Sequence, residues 1–246
     1  MKDVAIITGG AAGLGEAIAT GLHDHGFRVA ITDLDGEKAS ALATRLDPSR
    51  ATAIGFALDV RDGAAIDAAA VVIEEQWGGA QVLVNNAAMT RAISVLDITL
   101  DDWDDVMAVN ARGTFAASQI FGRRFKAAGY GRIINLASLA GQNGGAATGA
   151  HYAASKGAIL TLTKVFARDL APYGVTVNAV APGPIDSPMV RSIVPPERMA
   201  NFVSNIPVGE LGDAAFIADI VARLAARDAS FVTGATWDVN GGLFMR

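Results

Sequence analysis

The sequence contains no cysteine. That excludes disulfide scaffolding, thiol catalysis and cysteine-bound metal in one step. No run of Lys or Arg stands out, and the formal net charge is −5, so a nucleic-acid partner is not expected. No apolar stretch reaches the length of a membrane span. The opening MKDVAIITGG carries one Lys and a short apolar run, too little for a signal peptide. No membrane partner is expected, and the expected compartment is the cytoplasm. The three histidines do not combine with acids at a metal-ligand spacing on any one element, so no metal is expected.

What is present is 246 residues, 51% of them hydrophobic, with 27 glycines. This is enough for one large α/β domain with a sizeable core. No linker or low-complexity segment divides the chain. Seven apolar runs have the character of strands: Val4–Thr8, Arg28–Thr32, Thr52–Leu58, Val82–Val84, Arg132–Ala137, Val175–Val180 and Ala235–Val239. Runs that are apolar on both faces suit parallel sheets, and helical patterns alternate with them. The alternation predicts a single α/β domain over residues 1–246. Its architecture is a Rossmann-type doubly wound parallel sheet of about seven strands with helices on both faces.

The first strand leads into Gly9, Gly10, Ala11, Ala12, Gly13, Leu14 and Gly15, then into a helical pattern over Glu16–His25. Strand, glycine loop and helix form the context for dinucleotide binding. Glycines let backbone N–H groups approach a pyrophosphate, and a helix N-terminus favours its charge. Asp33 follows the second strand, about 20 residues beyond the glycines, where a carboxylate can bind both ribose hydroxyls and repel a 2′-phosphate. No Arg or Lys stands in the glycine loop or at Leu34 to hold such a phosphate. NAD is therefore predicted in preference to NADP. The rival role for Asp33 is to cap the helix predicted over Gly36–Leu46, a role for which Asp35 competes. Asn85 and Asn86 stand at the carboxyl end of the fourth strand, where ligands bind in open parallel sheets; their alternative role is to satisfy turn backbone groups.

The stretch Ser138–Lys156 (SLAGQNGGAATGAHYAASK) holds Tyr152 and Lys156 four residues apart, on one face of a helix. An ammonium beside a phenol is expected to lower its pKa from about 10 towards the range of a general acid/base. Ser138, at the end of the fifth strand, is expected beside the phenol. His151 points about 100° away from Tyr152. Asp101 and Asp102 open a helical pattern that runs to about Lys126. Within it Trp103, Val106, Met107 and Phe115 have the character of core residues. Asn110, ill-suited to a helix interior, needs a packing or functional hydrogen bond. Pro182-Gly183-Pro184 is expected to end the regular sixth strand. The Pro-interrupted segment at about 184–208 is predicted to be a lid. Its apolar members, Ile185, Met189, Val190, Ile193, Val194, Met199 and Phe202, suit a moderately hydrophobic ketone or secondary alcohol. Gln142, Asn143 and His151 are the nearby polar groups.

Jointly these motifs resemble those of a short-chain dehydrogenase/reductase. TGGAAGLG (Thr8–Gly15) resembles the cofactor loop, and Asp59 the acid that meets adenine. NNAA (Asn85–Ala88) resembles the family's Asn-Asn-Ala-Gly, with Ala88 in place of Gly. Asn110, Ser138, Tyr152 and Lys156 match the catalytic tetrad. Pro182-Gly183 with Ser187 resembles the segment that meets the nicotinamide carboxamide. The resemblance implies that Tyr152 transfers the proton, and that Lys156 lowers its pKa and holds the nicotinamide ribose. It also implies that Ser138 hydrogen-bonds the substrate oxygen and that Asn110 anchors a relay water.

The expected cofactor contacts are Gly9, Ala12, Gly13, Leu14, Gly15, Asp33, Leu34, Asp59, Val60, Asn86, Ala87, Ala88, Tyr152, Lys156, Pro182, Gly183, Ile185 and Ser187. The expected substrate contacts are Gln142, Met189, Val190 and Phe202. The expected function is NAD(H)-dependent interconversion of a secondary alcohol and a ketone. The expected assembly is a homotetramer packed through the helices near Asp102–Lys126 and Tyr152–Leu170. The alternative within the family is a 3-oxoacyl-[acyl-carrier-protein] reductase using NADPH, with Arg123, Arg124, Lys126 and Arg132 as basic contacts. Against it stand Asp33, and Tyr173 where that branch often has Arg. A non-catalytic dinucleotide-binding regulator is the alternative from another class, and the intact tetrad opposes it.

Overall fold

A computed structural model describes residues 3–145, 148–187, 190–191 and 194–245. The first half comprises β1 (Val4–Thr8), α1 (Gly13–Asp24), β2 (Arg28–Asp33), α2 (Gly36–Leu46), β3 (Ala53–Ala57), α3 (Gly63–Trp77) and β4 (Val82–Asn85). The second comprises α4 (Leu100–Met107), α5 (Gly113–Ala128), β5 (Gly131–Leu136), α6 (Ala140–Asn143), α7 (Gly149–Leu170), β6 (Val175–Pro182), α8 (Pro196–Ser204), α9 (Ala214–Ala225) and β7 (Thr236–Val239). The strands form one seven-stranded sheet in the order β3-β2-β1-β4-β5-β6-β7, and each neighbouring pair is parallel. This is a Rossmann-type α/β fold.

The two-residue period of a strand sends alternate side chains to opposite faces, and β1 serves both. Ala5 and Ile7 pack with Ile18 and Leu22 of α1 and with Ile217 and Val221 of α9. Val4 and Ile6 pack with Ile66 of α3 and with Phe121 and Phe125 of α5. That is why β1 is apolar at every core position. The strand order reverses between β1 and β4, and an open parallel sheet forms its ligand crevice at such a reversal, beyond the carboxyl ends of the strands. Among the described residues no helix is long and apolar enough to cross a membrane.

Several elements depart from expectation. α1 begins at Gly13 rather than Glu16, so the last two glycines of the loop form the helix's first turn. The long pattern after Asp101 is interrupted by a π-helical turn over Ala108–Arg112. β6 continues through Pro182, which pairs with Val239. The Pro182 carbonyl accepts from Leu139 N at 2.9 Å, on the side where β5 has already ended; the missing N–H therefore costs no ladder bond. Trp103 and Phe115 are not core but 37% and 41% exposed. Phe115 turns its ring to Phe166 of α7, with centroids 5.8 Å apart, instead of to the sheet. Asn85 faces the interior, not a ligand: its Nδ2 donates to Ser118 Oγ at 3.0 Å and to Asn135 Oδ1 at 2.8 Å.

Candidate active site

β1 and β4 end side by side, with Thr8 opposite Asn85. The chain leaves β1 at Gly9 with φ +61°, and a Cβ there would lie 2.7 Å from Ala87 Cα. Gly15 is packed closer still, since a Cβ would lie 2.0 Å from the Gly9 carbonyl oxygen. Asn86 fastens the two loops together: its Nδ2 donates to Thr8 O at 3.2 Å and to Gly9 O at 2.7 Å. α1 starts after Ala12, which supplies no side-chain cap to the first N–H groups. Such a bare helix N-terminus, lined by glycine, is shaped for an anion.

Asp33 closes the far side of this loop. Its Oδ2 accepts from Ala11 N at 3.1 Å and its Oδ1 from Asp35 N at 3.2 Å. The cap of α2 is Asp35, which accepts from Lys38 N at 3.1 Å. The rival role for Asp33 is thus taken by its neighbour. Asp59 is gripped by Arg61, whose Nε lies 3.0 Å from both carboxylate oxygens and whose Nη2 lies 2.6 Å from Oδ2. That grip holds the Asp59 carboxyl below its ordinary range.

At the other end of the crevice, β5 delivers Ser138 and α7 delivers Tyr152 and Lys156. Ser138 Oγ accepts from Ala140 N at 3.1 Å, and the hydroxyl also hydrogen-bonds the Tyr152 phenol. Lys156 is 3% exposed. Its Nζ donates to Leu136 O at 2.6 Å and lies 5.6 Å from the centroid of the Tyr152 ring.

The electrostatics correct one expectation. Burial pushes the Tyr152 phenol above its usual value, and the Ser138 hydrogen bond pulls the other way without prevailing. Burial also pulls Lys156 down to about 8. The ammonium is directed at the Leu136 carbonyl, and desolvation is the largest influence on both groups.

A single cleft of about 1110 Å³ joins the two ends. A pocket for one drug-sized ligand is roughly 300–1,000 Å³, so this cleft has room for a dinucleotide and a second molecule. Gly9, Ala12, Gly13, Leu14, Gly15, Asp33 and Leu34 line one end, with Asp59 and Val60 beside them. Asn86, Ala87 and Ala88 line the middle. Ser138, Tyr152, Lys156, Pro182, Gly183, Ile185 and Ser187 line the other end, where Val190 and Phe202 also contribute.

Residues 9–244 match a family model described as enoyl-(acyl carrier protein) reductase. Over 98% of its length the chain is 38% identical to an uncharacterized short-chain type dehydrogenase/reductase (y4mP) of Sinorhizobium fredii, covering 97% of that protein. It is 38% identical to the 3-oxoacyl-[acyl-carrier-protein] reductase FabG of Vibrio cholerae, with 98% of this chain and 97% of the relative aligned. It is 40% identical to 2-(S)-hydroxypropyl-CoM dehydrogenase 3 of Xanthobacter autotrophicus, with 98% and 96% aligned. The chain belongs to the short-chain dehydrogenase/reductase family.

Membership of the short-chain dehydrogenase/reductase family implies an oxidoreductase with a nicotinamide dinucleotide cofactor. The glycine loop, held tight where a Cβ at Gly15 would strike the Gly9 carbonyl, and the uncapped start of α1 fit a pyrophosphate. Two expected residues stand apart from the cleft. Gln142 turns away, and its Nε2 donates to Asp238 Oδ1 of β7 at 2.5 Å; the one-turn helix α6 aims it at the sheet edge. Asn110 is fully buried in the π turn and does not line the cleft. Its Nδ2 donates to Met89 O at 2.9 Å and to Ser155 Oγ at 3.0 Å, and its Oδ1 accepts from Met89 N at 2.8 Å. Met189, like Ile193, lies outside the described residues. His151 is fully buried and its Nδ1 accepts from Tyr152 N at 3.0 Å, behind the cleft wall as its helical angle required.

Met89, Arg91, Val109 and Leu139 also line the cleft and were not expected there. Met89 had a signal, since it directly follows Asn85–Ala88. Arg91 had none: it is placed by ion pairs to Asp102 and Asp105 of α4, partners distant in sequence.

Proposed function

We propose that this protein is an NAD(H)-dependent oxidoreductase that interconverts a secondary alcohol and a ketone. The observation that carries this reading is the grouping of Ser138, Tyr152 and Lys156 at one end of a cleft whose other end holds Asp33. A bound nicotinamide would carry the hydride. Ser138 holds the substrate oxygen, and the Tyr152 phenol gives it a proton in reduction or takes one in oxidation. Lys156, charged below about pH 8, opposes the burial penalty on the phenolate and offers its remaining N–H donors to the cofactor ribose. Asn110 acts from behind this turn.

The preference for NAD rests on Asp33. Two backbone N–H groups fix its carboxylate, and its free lone pairs would accept from ribose hydroxyls. A 2′-phosphate would meet that charge, and Leu34 next to it offers no cation. The substrate is a small, moderately hydrophobic ketone or alcohol. Ile185, Val190, Val194 and Phe202 of the segment at 184–208 line its end of the cleft, and that segment serves as the lid of a single domain. Exposed Trp103, Phe115 and Val165, spread over α4, α5 and α7, suit the packing of a homotetramer. The compartment that fits an enzyme drawing on a nicotinamide pool is the cytoplasm.

Relatives named 3-oxoacyl-[acyl-carrier-protein] reductase, such as the Vibrio cholerae protein at 38% identity, favour a second reading: an NADPH-dependent reductase of 3-oxoacyl thioesters. Asp33 opposes it. Steady-state kinetics with NADH and NADPH, against ketones, diketones and a 3-oxoacyl thioester, separates the two. Preference for NADH with a small ketone supports the first; preference for NADPH with the thioester replaces it with the second.

A further inference from the structure

Ser155 lies between Tyr152 and Lys156 on α7 and is fully buried. A serine inside a helix commonly returns its hydroxyl to the preceding turn. This one does so, and its Oγ donates to the Tyr152 carbonyl at 2.7 Å. It also accepts from Asn110 Nδ2 at 3.0 Å. Asn110 in turn is anchored twice on the backbone of Met89, at 2.8 and 2.9 Å. Met89 is part of the cleft wall beside Ala88. A continuous path of hydrogen bonds therefore runs from that wall to the turn of α7 that bears the phenol and the ammonium.

We propose that Ser155 is a positioning residue, whose hydroxyl holds the Tyr152–Lys156 turn in register with the cleft wall at Met89. The proposal rests on the reading of Tyr152 as the proton-transfer group. Asn110 moves with the wall, because both of its bonds to Met89 are to backbone. Ser155 hands that position to α7, and its bond to the Tyr152 carbonyl tightens the turn over which phenol and ammonium keep their spacing. Ser155→Ala deletes both bonds and leaves an Asn110 N–H buried without a partner. A displacement of about 1 Å at reacting groups can cost about a hundredfold in rate. The groups facing the phenol are Ser138, ahead of α6, and Lys156 on its own helix, while His151 holds the Tyr152 backbone N–H. A loosened turn weakens the Ser138 hydrogen bond, which favours the phenolate.

The test compares full-length wild type, Ser155→Ala and Ser155→Thr. Three quantities are measured: kcat and KM with NADH and a ketone that wild type reduces, the absorbance titration of Tyr152 with and without NAD (the Tyr152→Phe spectrum subtracted), and Tm. Ser155→Ala is expected to lose about tenfold in kcat with KM for NADH within about twofold. Its phenol midpoint should move up, and Ser155→Thr should restore both. A lowered Tm with wild-type kcat and midpoint overturns the proposal, because a packing role alone would do that. If Ser155→Ala does not fold, Ser155→Thr decides: altered kcat and midpoint in a folded protein that keeps the hydroxyl overturn it. If no ketone is turned over, the oxidoreductase reading fails and the phenol titration still tests Ser155.

Discussion

Asp33 Oδ2 accepts a hydrogen bond from the backbone N–H of Ala11 at 3.1 Å. With the bond from Gly10 N to Thr32 O at 2.9 Å, this contact ties the end of β2 to the glycine loop, so the residue that would read the ribose is held by the loop that would hold the pyrophosphate. Asp33→Ala frees the loop's N–H and removes the charge that repels a 2′-phosphate. The ratio of kcat/KM for NADH to that for NADPH should fall by about tenfold or more. The measurement is the two cofactors' kinetics on one ketone. An unchanged ratio would mean that Asp33 serves only the loop.

Tyr152→Phe keeps the ring and its packing but has no proton to move. General acid/base catalysis contributes about 10²–10⁴, and a loss of that size in kcat is expected. NADH affinity, followed by fluorescence, should stay within about twofold, since the glycine cradle and Asp33 are untouched. Retained turnover would remove the phenol from the mechanism.

Lys156 carries a pH prediction for stability. Its folded value is about 8 and its ordinary one 10.5. The unfolded chain therefore binds the proton more tightly, and folding stability rises as pH climbs through that window. Below it, the buried charge costs about 3 kcal/mol in full. Lys156→Met abolishes this titration. The Tm of wild type should gain on that of the variant as pH is raised from about 8 to about 10. A constant gap would mean that Lys156 titrates as a solvated lysine does.

The sequence made the sheet and most of the cleft legible because their signals are local. β-branched runs buried on both faces marked the strands, and glycines between strand and helix marked the cradle. The four-residue spacing alone places Tyr152 and Lys156 on one helix face. What stayed hidden depends on tertiary neighbours. Gln142 looked like a pocket residue until α6 turned it to Asp238. Phe115 looked like core until Phe166 met it on the outer face. The upward push on the phenol's pKa comes first from burial, which a spacing does not reveal. Asn85 and Asn86 are adjacent and chemically identical, yet one enters the core and the other ties the loops, because β4 ends at Asn85 and Asn86 already belongs to the loop beyond it.

That division predicts opposite phenotypes for two asparagines. Asn85 and Asn135 are direct partners across β4 and β5. Asn135 Oδ1 accepts from Asn85 Nδ2 at 2.8 Å, and its own Nδ2 donates to Thr163 Oγ1 at 2.9 Å. Both strands are apolar around them, and Asn135, Ser118 and Thr163 have no exposure at all. Asn135→Ala strands a buried donor on Asn85 and takes the donor from Thr163, a loss of about 2–4 kcal/mol. For a chain of this size that lowers Tm by about 5–10 °C. None of these partners lines the cleft, so kcat of the folded protein should stay within about twofold. Asn86→Ala should do the reverse. Asn86 lines the cleft, and its Nδ2 bridges Thr8 and Gly9; its loss should raise KM for NADH more than it lowers Tm. If Asn135→Ala instead impairs cofactor use while Tm holds, the asparagine pair belongs to the site and not to the core.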